Sequence, residues 1–135
     1  MTLLMTDEVP GLQVCADKAR PAGERVWLDV EPRRGHFVVN LGEMLERWSN
    51  GLYNANLHRV VNASGRERYS VPFFYDGDAD YEVTCIPTCL KPGEEPKYAP
   101  ITIRSLRGTI VLLCHVYNSF RKISARVKIN TFPWY

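Results

Sequence analysis

The chain has 135 residues, of which 45% are hydrophobic and 24% charged. That is the length and composition of one ordinary globular domain, so wholesale disorder and collagen-like order are excluded. The net charge of +2 hides a break: residues 1–100 hold 11 basic and 15 acidic side chains, a net of −4, whereas residues 101–135 hold six basic side chains and no acid.

Short apolar stretches at 3–5, 11–15, 26–30, 37–41, 57–61 and 69–75 are each followed by turn formers, among them Pro10-Gly11, Arg33-Arg34-Gly35, Asn62-Ala63-Ser64-Gly65 and Asp76-Gly77-Asp78. This rhythm predicts a mainly β fold. Residues 43–48 are good helix formers, with Met44, Leu45 and Trp48 on one side by three-and-four spacing and Asn50-Gly51 as the stop; they predict a two-turn helix between strands. Three prolines make 91–100 an extended surface connection. Beyond it, 109–117 reads as a strand or a buried helix, and Ile123, Ala125, Val127 and Ile129 alternate with polar neighbours as in a one-sided strand.

No apolar run approaches the roughly 18 residues of a membrane-crossing helix, so a soluble protein is expected. Residues 1–8 carry no secretory pattern, and Cys15, Cys85, Cys89 and Cys114 are then read as reduced thiols of a cytoplasmic protein. Cys85 and Cys89 stand four apart with no second pair, a poor pattern for zinc. The basic side chains Arg104, Arg107, Arg121, Lys122, Arg126 and Lys128 are scattered among apolar residues. They lack the stacking aromatics of single-strand binders, so no nucleic-acid partner is expected.

The stretch with most chemistry is 50–74, which reads as strand, tight turn, strand. Arg68 and Ser70 lie two apart on the second strand and so project from one face. Together they offer a guanidinium beside a hydroxyl, a good receptor for a carboxylate. Tyr69, Val71, Phe73 and Tyr75 point the other way. His58 on the first strand approaches that pair if the hairpin register brings it there. Each piece also has a plain explanation: a lone strand histidine packs or faces water, and Arg-x-Ser occurs by chance.

Taken in order, GLQV at 11–14, WLDV at 27–30, FVVNLGEMLERWSNG at 37–51, LHRVVN at 57–62 and RERYSVPFF at 66–74 resemble the C-terminal half of the isopenicillin N synthase-like branch of the iron(II)/2-oxoglutarate-dependent dioxygenases. The likeness covers about residues 1–90. It implies a partial double-stranded β-helix, or jelly roll, with one short helix across 1–103, followed by a basic tail, 104–135, with no family match. It also implies iron(II) held by two histidines and a carboxylate, 2-oxoglutarate as co-substrate and a small organic molecule as substrate. By position His58 matches the second histidine of the metal set, and Arg68 and Ser70 match the pair that grips the distal carboxylate of 2-oxoglutarate. Asn40 and Trp48 match scaffold.

The same comparison expects His-x-Asp or His-x-Glu ahead of the TLLM strand, and the chain contains neither tripeptide: His36, His58 and His115 are followed by other residues. His36 reads as an exposed turn residue, and Asp7 and Glu8 follow the strand instead of preceding it. The family's ending is also replaced after Ala99-Pro100-Ile101-Thr102. The expectation is therefore an incomplete or altered gene product of oxidoreductase lineage. The alternative is an inactive remnant with a vestigial carboxylate site, prone to self-association through open sheet edges.

Overall fold

Two antiparallel three-stranded sheets carry the first 74 residues. β1 (Thr2–Thr6) is the centre of one, flanked by β4 (Phe37–Asn40) and β6 (Ser70–Phe74). β2 (Leu12–Cys15) is the centre of the other, flanked by β3 (Trp27–Asp29) and β5 (His58–Val60). The computed structural model describes residues 1–108, so the sequence expectations for 109–135 lie outside the described residues. The described residues fall into two units: Met1–Asn40 with Asn56–Phe74, and Leu41–Ala55 with residues 75–108.

All six strands expected in this part of the chain are present, but the pairing differs from a hairpin over 50–74. β5 pairs with β2 and β6 pairs with β1, so the two strands belong to different sheets. The cause lies in the turn between them. Asn62 accepts from the Ser64 amide at 3.1 Å and donates to the Arg66 carbonyl at 2.7 Å, and Gly65 adopts φ 69°. This side-chain-bonded turn of the Asx type reverses the chain locally. On either side of it the backbone is claimed elsewhere: the Val61 amide bonds the Gly11 carbonyl at 2.7 Å, and Tyr69 exchanges bonds with Asp7.

The second unit is built around α1 (Glu43–Trp48), the helix expected from the spacing. It ends where Asn50 and Gly51 take positive φ, 53° and 81°, a left-handed stop that asparagine and glycine tolerate. β7 (Glu82–Val83) and β8 (Ile101–Thr102) form a two-stranded ladder, followed by helical residues 103–108. Among the described residues of this unit, Val83, Ile103 and Leu106 are the buried apolar side chains. Ile103 packs so close to Gly77 that a Cβ there would sit 3.1 Å from its Cδ1. Arg104 and Arg107 of the basic block are ion-paired with Asp80 and Asp76.

The helix does not bury the stripe its apolar residues mark out. Met44, Leu45 and Trp48 are half-buried, Trp48 meeting Tyr81 edge-on at 6.2 Å, whereas Glu46 is buried. Its carboxyl can be inside because its oxygens are met: Ala55 N–H donates at 2.7 Å and Tyr98 O–H at 2.9 Å. Asn50 likewise accepts from the Lys97 amide and donates to Glu94. The proline-rich connection is therefore tied to the end of the helix by polar side chains.

Candidate carboxylate and metal site

Alternation across the second sheet separates its two faces. One face carries a polar row in which Gln13 donates to Asp29 at 2.8 Å and accepts from Arg59 Nε at 2.7 Å, with the Arg59 guanidinium 4.1 Å above the Trp27 ring. The other face carries Leu12, Val14, Leu28 and Val60, and on it His58 completes the cross-strand row Leu28, Val14, His58. The imidazole is exposed. Its Nδ1 lies 3.0 Å from the Asn56 carbonyl; a carbonyl can only accept, so Nδ1 is the donor, and in the neutral ring Nε2 is then the nitrogen with a lone pair to offer. A backbone carbonyl holding the far ring nitrogen is the usual support of a metal-binding histidine.

Arg68 and Ser70 meet, with Nη1 donating to Ser70 Oγ at 3.1 Å. The guanidinium is not fully used. Its Nε is buried without a hydrogen-bond partner among the described residues, and an unmet buried donor on a charged group costs more than a neutral one. A carboxylate set against the guanidinium would relieve it, because this planar fork binds carboxylates through paired N–H donors.

Gly11 places the fork and was read from sequence only as a turn former. At φ 148° its backbone suits glycine, and a Cβ would stand 3.0 Å from the Val61 carbonyl and 3.3 Å from Arg68 Cδ. The arginine stem thus lies against bare backbone at the start of β2. From Val61, which is bonded to Gly11, to His58 is three residues along the strand, about 10 Å at the usual rise. The Pro10-Gly11 pair carried a signal, since a conformation only glycine accepts often marks a close approach.

The donor set divides when tested against the groups the sequence resemblance implies. Arg68 and Ser70 fit the distal carboxylate of a 2-oxo diacid. His58 fits one metal position, but no three His, Cys, Asp or Glu among the described residues gather to hold a metal ion. Asp7 is engaged with the Val9 and Tyr69 amides at 3.0 and 2.6 Å, and His36 is exposed with Nδ1 3.0 Å from the Arg34 carbonyl. Cys85 and Cys89 are free, half-buried thiols, and burial, followed by Cys89 and Glu94, pushes the Cys85 thiol up from its ordinary value. The iron set is incomplete in these residues. No helix among them is long and apolar enough to cross a membrane.

Residues 1–77 match the model of the 2OG-Fe(II) oxygenase superfamily. The chain is 52% identical over 106 residues to a 2-oxoglutarate-Fe(II) type oxidoreductase of Emericella nidulans, covering 78% of this chain and 29% of that protein. It is 40% identical over 124 residues to azadirone synthase of Melia azedarach, covering 92% and 33%. Among solved structures it is similar to JOX2 in complex with 2OG, Fe and JA, with TM-score 0.71 and 33% identity over 81% of this chain and 30% of that one. It is also similar to the dioxygenase for auxin oxidation in rice, with TM-score 0.67 and 29% identity over 84% and 37%. The chain thus spans about a third of the length of these relatives. With two sheets in the arrangement of a partial jelly roll and a family match over more than half its length, the chain belongs to the 2OG-Fe(II) oxygenase superfamily, whose members use iron(II) and 2-oxoglutarate.

Proposed function

We propose that this chain is the co-substrate-binding part of a 2-oxoglutarate-dependent oxygenase of the isopenicillin N synthase-like branch. Arg68 and Ser70 grip the distal carboxylate of 2-oxoglutarate, and His58 offers one of the metal's ligands. The observation that carries this reading is the buried, partnerless Nε of Arg68 beside Ser70. When a complete metal site is present, the bound iron supplies the oxidising chemistry. These residues select the five-carbon diacid and fix its orientation against bare backbone at Gly11. The substrate oxidised is a small organic molecule, and the half-buried free thiols support a cytoplasmic setting. No nucleic-acid partner is proposed; in the described part of the basic block, Arg104 and Arg107 are paired with acids.

Calorimetric titration of the chain with 2-oxoglutarate tests the carboxylate grip without metal. Binding should weaken with added salt and vanish in Arg68→Ala; binding that survives Arg68→Ala sinks the reading. Joining an upstream His-x-Asp strand segment should restore conversion of 2-oxoglutarate to succinate, and His58→Ala should abolish it. If the grip is real but the extended protein stays inactive, the second reading holds, that of a remnant keeping the carboxylate site alone.

A further inference from the structure

Thr6 closes β1 directly opposite Ser70 of β6. The next pair along, Asp7 and Tyr69, is joined by an N–H to carbonyl bond of 3.0 Å. Ladder bonds of an antiparallel pair skip every other position, so Thr6 and Ser70 form an unbonded pair, whose Cβ atoms stand about 4.5–5.5 Å apart on one face. Arg68, two residues before Ser70, shares that face, and Met5 and Tyr69 alternate to the other. Thr6, Arg68 and Ser70 are all half-buried, whereas Glu8 lies beyond the ladder, in the bend that follows, and is exposed.

The hydrogens gathered there are not committed. Ser70 Oγ accepts from Arg68 Nη1, which leaves the serine's own proton to give. Neither that proton nor the one on Thr6 Oγ1 has an acceptor among the described residues. With the buried Nε of Arg68, three donors around Ser70 await an acceptor. One carboxylate answers all of them, because its two oxygens offer about four lone-pair sites. The guanidinium takes a pair of these and the hydroxyls take the others. Threonine is β-branched and stiff at χ1, so its hydroxyl is held in place at little entropic cost. We propose that the Thr6 hydroxyl is a third donor to the distal carboxylate of the bound 2-oxo diacid, beside Arg68 and Ser70. The inference rests on the carboxylate grip proposed above and extends it from one strand to two.

The test is calorimetric titration of the 135-residue chain with 2-oxoglutarate and with glutarate, which keeps the carboxylates and lacks the 2-oxo group. Thr6→Val has the same shape without the hydroxyl. It should weaken binding of both diacids about tenfold, as expected for a lost hydrogen bond to a charged group, with circular dichroism unchanged. Thr6→Ser, which keeps the donor, should restore most of the affinity. If Arg68→Ala abolishes binding while Thr6→Val leaves it unchanged, the grip stands and the role of Thr6 falls. An equal loss in Thr6→Val and Thr6→Ser overturns that role too, since the methyl and not the hydroxyl would carry the effect. So does a loss confined to 2-oxoglutarate, which would set Thr6 at the 2-oxo end. A wild-type chain that binds neither diacid overturns the grip itself, and the third donor with it.

Discussion

The two units treat polar groups taken out of water in opposite ways. In the second, the Glu46 carboxyl is buried and met by the Ala55 amide and the Tyr98 hydroxyl. In the first, the Arg68 guanidinium is partly enclosed and its Nε has no partner among the described residues. A met network rigidifies a fold and specifies one arrangement. An unmet donor is a standing cost that a ligand can relieve, so the group least useful to stability is the one most useful for binding.

Removing the buried polar group should therefore have opposite signs in the two units. The largest effect is expected from Glu46→Ala, which strands the Ala55 N–H and the Tyr98 O–H together and should cost about 2–4 kcal/mol, read as a fall in the urea midpoint. Glu46→Gln, which keeps an accepting oxygen, should cost less. Next comes Gly11→Ala. Its φ of 148° belongs to glycine, and the new Cβ would press on the Val61 carbonyl and the Arg68 stem, so about 1–3 kcal/mol should be lost. Because the methyl also displaces the fork, 2-oxoglutarate affinity should fall with it. Unchanged affinity in a destabilised Gly11→Ala would separate the glycine from the site.

How far the sequence revealed this contrast differs between the units. The strands of the first were legible because each alternates or runs apolar between turn formers, and α1 was legible from its spacing and its Asn-Gly stop. Arg68 and Ser70 were legible as neighbours because two residues on one strand share a face whatever the partner strand is. Pairing was not: residues 50–74 look like a hairpin, and nothing local records that Gly11 and Asp7, far away in the chain, claim the backbone on either side of the turn. Glu46 was hidden for a related reason. A glutamate on a short helix reads as a solvent residue until the Tyr98 hydroxyl, 52 positions on, is known to meet it. The ladder of β7 and β8 was missed because two-residue strands carry no period.

Arg68→Met is the third test and the one that reverses sign. The thioether keeps most of the stem's packing against Gly11 and removes the buried donor, so the urea midpoint should rise, by about 1 kcal/mol, while carboxylate binding is lost. A fall in stability would mean that the Ser70 bond outweighs the unmet Nε in the free protein, and the contrast between the units would weaken.

The smallest effect belongs to the exposed pair Arg104 and Asp80, bonded at 2.9 Å. The guanidinium's hydrogen bond, then its charge, hold the Asp80 carboxyl below its ordinary value of 3.8. A carboxyl lowered on folding adds stability that is present above the ordinary value and disappears as pH falls through the lowered one. Both side chains are largely in water, so Arg104→Ala should leave the neutral-pH urea midpoint unmoved. What should move is the titration: followed by carboxyl carbon NMR, the Asp80 midpoint should rise toward 3.8 in Arg104→Ala, and high salt should move the wild-type protein part of the way. A midpoint insensitive to both would mean that the lowering comes from backbone around Asp78 and Asp80 and not from the Arg104 guanidinium.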